Sequence, residues 1–243
     1  GELFVVDGTD IKVGVLSNSF DTQPATEGIS KATTDVKNGD LPGALNTHGY
    51  LADVANVEEW PFGEASDEGR AMLQIIHDIA PGASLAFHSA SISPRNFEVA
   101  LEALRDEGCQ IIVDDITFIT EPFFGEGRIS GVIKELAAQN IMHFTSAGNF
   151  GNAGYQGVFN ATESLPSTNF ITESITRAHV FDQATGDYLQ KISVKAGETY
   201  MLVLQWADQV SASQDNTDGA QADLDFYIVD DAGRLLVGNN RSN

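Results

Sequence analysis

The stretch Ser-Asp-Glu-Gly-Arg-Ala-Met-Leu-Gln-Ile-Ile-His-Asp-Ile-Ala-Pro-Gly-Ala-Ser-Leu, residues 66–85, decides how the rest of the chain is read. Met72, Ile75, Ile76 and Ile79 recur at helical spacing, which predicts an amphipathic helix with that stripe against a core. Ser66 reads as its N-cap and Pro81-Gly82 as its stop. Asp67 and Glu68 fall in the first turn, where unpaired N–H groups and the positive end of the helix dipole favour carboxylates. On spacing alone both are dipole partners.

Upstream, Ile-Lys-Val-Gly-Val-Leu at residues 11–16 is a short apolar run that predicts a buried strand. It breaks at Ser17-Asn-Ser-Phe-Asp21. Ligands of parallel sheets bind beyond the carboxyl ends of strands, so Ser17 and Asn18 are candidate substrate-binding residues. Residues 22–49 are rich in Thr, Asn, Asp and Gly, with consecutive turns at residues 39–43, and read as one long surface loop rimming a cleft. Residues 51–57 read as a strand. Trp60-Pro-Phe-Gly63 reads either as an apolar loop that covers the helix start or lines a substrate groove, or as ordinary packing.

Downstream, residues 84–88 predict a strand. A helix follows with Ser93 as N-cap, Pro94 at its first position, Phe97, Ala100, Leu101 and Leu104 on one face, and Gly108 closing it. Residues 109–117 predict the next strand, in which Asp114 and Asp115 face opposite sides, so one of them must be buried or paired. A third helix covers residues 128–138 with Ile129, Val132, Ile133 and Leu136 inward and Asn140 at its end, and residues 141–145 form another strand. This alternation predicts an α/β fold, a mostly parallel sheet with helices on both faces. Past Gly151 the pattern changes. Residues 178–182, 189–194, 198–207 and 224–229 read as strands, with turns at Ala196-Gly197 and Asp231-Ala-Gly233 and a flexible polar connection at 211–222, which together predict a partial antiparallel β-sandwich. The expected domains are 1–165 and 166–243.

A chain of 243 residues holds one large α/β unit or two smaller ones. The formal charge of −22 excludes nucleic acid and anionic membranes as partners, since either requires a basic face, and suits a solvated protein that is secreted, periplasmic or at the cell surface. Cys109 is the only cysteine, so no intrachain disulfide can form, and it reads as a buried core residue. No run of eighteen apolar residues suggests membrane insertion. His48, His77, His88, His143 and His179 show no zinc-site spacing, and no G-x-G-x-x-G follows the first strand. No cofactor is expected; loop carboxylates leave calcium open without a spacing that would place it.

A helix that opens on a catalytic side chain, runs through apolar turns and ends in Ala-Pro-Gly-Ala before a strand resembles the second motif of the subtilase clan of serine peptidases. Counting back from Pro81 puts Glu68 at the position that is histidine in the subtilisin-like branch and glutamate in the sedolisin-like branch. The resemblance thus implies that Glu68 is the general base. The sedolisin branch keeps an aspartate one turn later, where this chain has Met72. Ser146-Ala-Gly-Asn-Phe-Gly151 resembles the subtilase oxyanion-hole motif, which gives Asn149 the role of donor to the developing oxyanion and lets the backbone at Gly148 approach a substrate. Sedolisins place an aspartate there, so the chain is a hybrid of the two branches. Subtilases carry their triad aspartate at the end of the first strand. An ungapped match puts Ser17 there and a one-residue offset puts Asn18, while the nearest carboxylate is Asp21; either Asp21 serves or the orienting carboxylate is lost. The β-rich block resembles the accessory sandwich of many secreted peptidases, with Asp223-Leu-Asp-Phe-Tyr-Ile-Val-Asp230 as its most telling strand.

The Gly-Thr-Ser sequence that carries the nucleophile of this clan does not occur here, and the clan's order places it downstream of Asn243. The expectation is a serine-type endopeptidase acting on protein or peptide, with its serine outside these residues, the 243 residues alone inactive, and an acidic optimum suited to a glutamate base. The rival reading, a non-catalytic binding or scaffold protein that kept the fold, draws on Asn18 and Met72. A third, a small-molecule-binding α/β domain, would need a pocket at residues 17–20 far from Glu68.

Overall fold

The computed structural model describes residues 6–151, 153–163, 177–208 and 220–239. The chain divides into two compact units, the first reaching Asn149 and the second beginning at Phe150, earlier than the boundary expected at residue 165 and close to Gly151, where the sequence pattern changes. The last backbone hydrogen bond that ties this region to the sheet runs from Ser146 N–H to the Asp114 carbonyl, 3.1 Å.

The first unit is built on a five-stranded parallel sheet. In chain order its elements are β1 (Lys12–Ser17), α1 (Lys31–Asn38), β2 (Ala55–Glu58), α2 (Glu68–Ile79), β3 (Ser84–Ser89), α3 (Pro94–Asp106), β4 (Ile111–Asp114), α4 (Arg128–Ala138) and β5 (Met142–Thr145). The strand order is β2-β3-β1-β4-β5, with Leu16 opposite both His88 and Asp114 and Asp114 opposite Thr145. The chain fills one side of β1 with β2 and β3 and then crosses to place β4 and β5 on the other. The β1–β4 junction is therefore the topological switch point, whose carboxyl edge is where open α/β sheets bind ligands.

Both faces carry apolar side chains, as a parallel sheet requires. On one face Phe97, Leu101 and Leu104 of α3 and Leu136 of α4 close over Leu16, Ala86 and Ile112, with Cys109 buried among them. The Cys109 thiol is pushed up to about 11 by burial, as an inert core residue requires. On the other face Ala32 of α1 and Leu73 of α2 join Leu41 over Val13, Val15, Leu85 and Phe87. Ile111 and Val113 point to this second face, so their register partners Met142 and Phe144 do too, and these two remain 52% and 55% exposed. Among the described residues no helix lies over that end of the sheet.

Helices α3 and α4 match the sequence expectation. Ser93 caps α3, its Oγ accepting the Asn96 N–H at 3.1 Å. Ser93→Ala is expected to lower stability by about 1 kcal/mol, read as a lower urea midpoint at unchanged m-value.

Strands β1, β3 and β5 also fall where the sequence places them, whereas α2, α1, β2 and β4 correct it. α2 is capped by Asp67, not Ser66, in a left-handed conformation (φ 54°) without a side-chain capping bond. Its inner face is Gly69, Leu73 and His77, flanked by Met72 and Ile76, while Ile75 and Ile79 are 60% and 76% exposed. Gly69 sets this rotation. A Cβ at that position would strike the Phe87 ring and lie 2.9 Å from the Ser19 carbonyl, so the helix rests on its glycine and turns the adjacent isoleucines outward. α1 interrupts what reads as one loop. Thr33 and Thr34 mask it in sequence, but Ser30 caps it by accepting the Thr33 N–H and Gly39 ends it at φ 93°. β2 covers residues 55–58, later than expected, and β4 stops at Asp114.

In the second unit, β6 (Phe226–Val229) and β7 (Leu235–Asn239) form an antiparallel hairpin. Its turn is held by Asp230, which accepts the N–H groups of Ala232 and Arg234, with Gly233 at φ 73°. Residues 189–194 and 198–207 are not strands, and residues 178–182 contribute only isolated bridges, Ala161 to His179 and Asp182 to Asp187. Alternating side chains make a strand only where a neighbour offers its backbone, and those segments have none among the described residues. The connection expected at 211–222 lies largely outside the described residues. No helix is long and apolar enough to cross a membrane among the described residues.

Candidate functional site

The chain leaves β1 at Ser17, and the next residues fasten the start of α2 to the carboxyl edge of the sheet. Ser17 is fully buried, and its hydroxyl donates to Asp115 Oδ2 at 3.1 Å across the switch point. Asn18 holds backbone. Its Oδ1 accepts the N–H groups of Ser19 at 2.5 Å and Glu68 at 3.3 Å, its Nδ2 donates to Ser66 Oγ at 2.5 Å, and its carbonyl accepts the Ser89 hydroxyl at 2.6 Å.

Asp67 and Glu68 have opposite environments. Asp67 is buried and accepts from the Ser19 hydroxyl, from the Thr22 backbone and hydroxyl, from the Gln23 backbone and from Arg70. Burial alone would push its carboxyl up, but the bonds from Thr22, Gln23 and Ser19 outweigh it and hold the group at about 2. Arg70 lies also 3.0 Å from Asp35 and 3.6 Å from Asp21. Glu68, one residue on, is exposed, and its carboxylate has no hydrogen bond or ion pair among the described residues. At the head of α2 it is the carboxylate free to act on a ligand.

Asp21 has a different part from the one that the sequence offered it. Its Oδ1 accepts the Ala32 N–H at 3.0 Å at the head of α1 and faces Arg70, so it anchors a loop and the first turn of a helix. Asn18, not Asp21, touches the backbone of Glu68.

Across the switch point, both aspartates after Val113 are engaged, where alternation required only one. Asp114 Oδ1 accepts the Ile116 N–H at 3.0 Å and the Thr145 hydroxyl at 3.1 Å, and its Oδ2 lies 2.8 Å from His143 Nε2, misaligned for a hydrogen bond. Together with its carbonyl bond to Ser146, these contacts fix the end of β5, from which the turn carrying Asn149 departs. Gly148 adopts φ 77°, which favours glycine, and Asn149 is exposed. Asp115 is raised above the ordinary carboxyl value, first by burial and also by the charges of Glu68 and Asp114, against the Ser17 hydroxyl, which favours its ionised form. Sequence reasoning did not assign Asp115 to the site; its position just past a buried strand at the switch point was the available signal.

The carboxyl edge thus brings Ser17, Asn18, Glu68 and Asp115 together at the β1–β4 junction, with Gly148 and Asn149 following the neighbouring strand on the same edge. No arrangement of three or more His, Cys, Asp or Glu side chains able to hold a metal ion occurs among the described residues. Comparisons with protein-family models, curated proteins and solved structures return no match to this chain.

Proposed function

We propose that the chain is a fragment of a secreted serine endopeptidase of the subtilase clan, comprising part of its catalytic α/β domain and part of an accessory β domain. Glu68 takes the proton of a serine supplied by a segment outside these 243 residues, and Asn149 donates to the tetrahedral oxyanion. The observation that carries this reading is the pairing at the head of α2: one carboxylate buried and fixed by its neighbours, the next exposed and unpartnered at the switch point. A base must reach its proton donor, and only the second is free to do so. Two further features support it. The glycine-bearing turn after β5 opens on the same edge, and Met142 and Phe144 leave sheet surface beside it that a further helix would cover.

The test is hydrolysis of an unfolded protein substrate by the chain extended to the end of its reading frame. Activity in acid, with kcat lowered by about 10²–10³ in Asn149→Ala at little-changed KM, is the expected result. An extended chain that cleaves nothing between acid and neutral pH contradicts the reading.

The second reading, a non-catalytic scaffold, is favoured by one observation. Asn18 directly follows β1, with its side chain bonded to backbone and to Ser66, so it does not orient the Glu68 carboxylate.

A further inference from the structure

We propose that His179 is an acid-operated clasp of the second unit: its neutral ring ties the segment 155–160 to the segment 178–181 through the Asn160 N–H, and a second proton on that ring releases the tie. The clasp operates whether or not the chain belongs to a peptidase.

The two segments meet at an antiparallel bridge between Ala161 and His179, closed by the Thr162 N–H on the Ala178 carbonyl at 2.9 Å and the Val180 N–H on the Asn160 carbonyl at 2.8 Å. The His179 side chain adds a third tie. Its Nδ1 accepts the Asn160 N–H at 3.1 Å, and its Nε2 lies 3.0 Å from the Tyr155 hydroxyl. A ring nitrogen that accepts an N–H carries no proton, so the neutral ring is the Nε2–H tautomer and donates to the Tyr155 oxygen. The rings of Phe181, Phe159 and Tyr155 surround it at centroid distances of 4.7, 5.4 and 5.7 Å, Phe181 meeting it at 84°. His179 is thus the ring on which both segments converge.

Protonation acts on one of its two polar contacts. Imidazolium donates from both nitrogens, so Nδ1–H and the Asn160 N–H become opposed donors, while the Nε2–H bond to Tyr155 persists. Phe159 is 50% exposed, where a ring attracts a cation only weakly, and no ring replaces the lost acceptor. Tyr155 is the titratable group that faces His179 from the partner segment. On its own segment Asp182 is committed to the Ala184 N–H and the Thr185 hydroxyl, while Glu163 and Arg177, next along the two segments, are exposed and opposite in sign. His88 shows the contrary arrangement. Its Nδ1 donates to the Ser89 carbonyl at 2.7 Å and its Nε2 lies 3.6 Å from Glu58, so a second proton there breaks no hydrogen bond.

Ring-nitrogen and amide NMR of the 243-residue chain tests the clasp without reference to catalysis. Neutral His179 is expected as the Nε2–H tautomer. Between about pH 8 and about pH 5, the range in which histidine changes charge, the Asn160 amide signal is expected to move together with the His179 ring. Its hydrogen-exchange protection, corrected for intrinsic exchange, is expected to fall about tenfold over the same interval. His179→Phe keeps an aromatic ring and is expected to leave the Asn160 amide indifferent to pH in this range. The tautomer is read on the unsubstituted chain, so the test stands even where that variant fails to fold. A neutral His179 ring protonated on Nδ1, or an Asn160 amide that keeps its position and protection while His179 titrates, overturns the clasp.

Discussion

Asp67→Ala is expected to destabilise the first unit by about 3–5 kcal/mol, the cost of breaking a buried ion pair by removing one partner. The side chain accepts the Ser19 hydroxyl at 2.9 Å, the Thr22 N–H at 2.8 Å and hydroxyl at 2.6 Å, the Gln23 N–H at 3.0 Å and Arg70 Nη1 at 2.5 Å. Alanine leaves those donors facing a void and removes the buried partner of Arg70, which keeps Asp35 and Asp21. It must also adopt the left-handed backbone of Asp67, which asparagine tolerates better. Asp67→Asn should therefore cost less than alanine, and the difference between the two urea midpoints separates the backbone contribution from that of the charge. The same group predicts a pH dependence. Its folded carboxyl lies at about 2 against 3.8 for the ordinary group, so its stabilising contribution is complete above 3.8 and is lost as the pH falls through about 2. The shift corresponds to about 2 kcal/mol, and the wild type should lose that much more than Asp67→Asn over this interval. The buried network thus stays ionised in the acid range where a glutamate base is suited to work.

Glu68→Gln is expected to do the reverse. Stability should stay within about 0.5 kcal/mol of wild type, because the side chain is exposed and bonded to nothing among the described residues. In the extended chain kcat should fall by about 10²–10⁴, with KM little changed, the effect of deleting a general base. The adjacent carboxylates then divide by measurement as they do by geometry: Asp67 governs unfolding and Glu68 governs turnover. Equal loss of stability from both substitutions would place Glu68 in the structural network with Asp67.

What was legible in the sequence was periodicity backed by punctuation. Ser93, Pro94 and Gly108 bracket α3, and Asn140 ends α4 in a left-handed turn, so these helices and the strands after them could be located from local signals alone. The failures share a cause: each depended on a partner distant in sequence. The rotation of α2 is set by Phe87 pressing on Gly69, which no count of isoleucines reveals. The segments at 189–194 and 198–207 alternate as strands do but have no neighbour to pair with among the described residues. At the candidate site, Glu68 is singled out in the sequence by its distance from Ala-Pro-Gly-Ala. The commitment of Asp21 to Arg70 and to the Ala32 N–H, and the meeting of Asp115 with Ser17, arise from crossovers that bring residues 17, 68 and 115 to one edge.

The most direct measurement is labelling of the full-length gene product with a fluorophosphonate, followed by peptide mapping and repeated with Glu68→Gln and Asn149→Ala. A base and an oxyanion donor serving one nucleophile predict a single labelled serine outside residues 1–243 and a labelling rate that falls in both variants. Absence of labelling, or a labelled serine whose rate neither substitution changes, would contradict a shared catalytic cleft at the switch point.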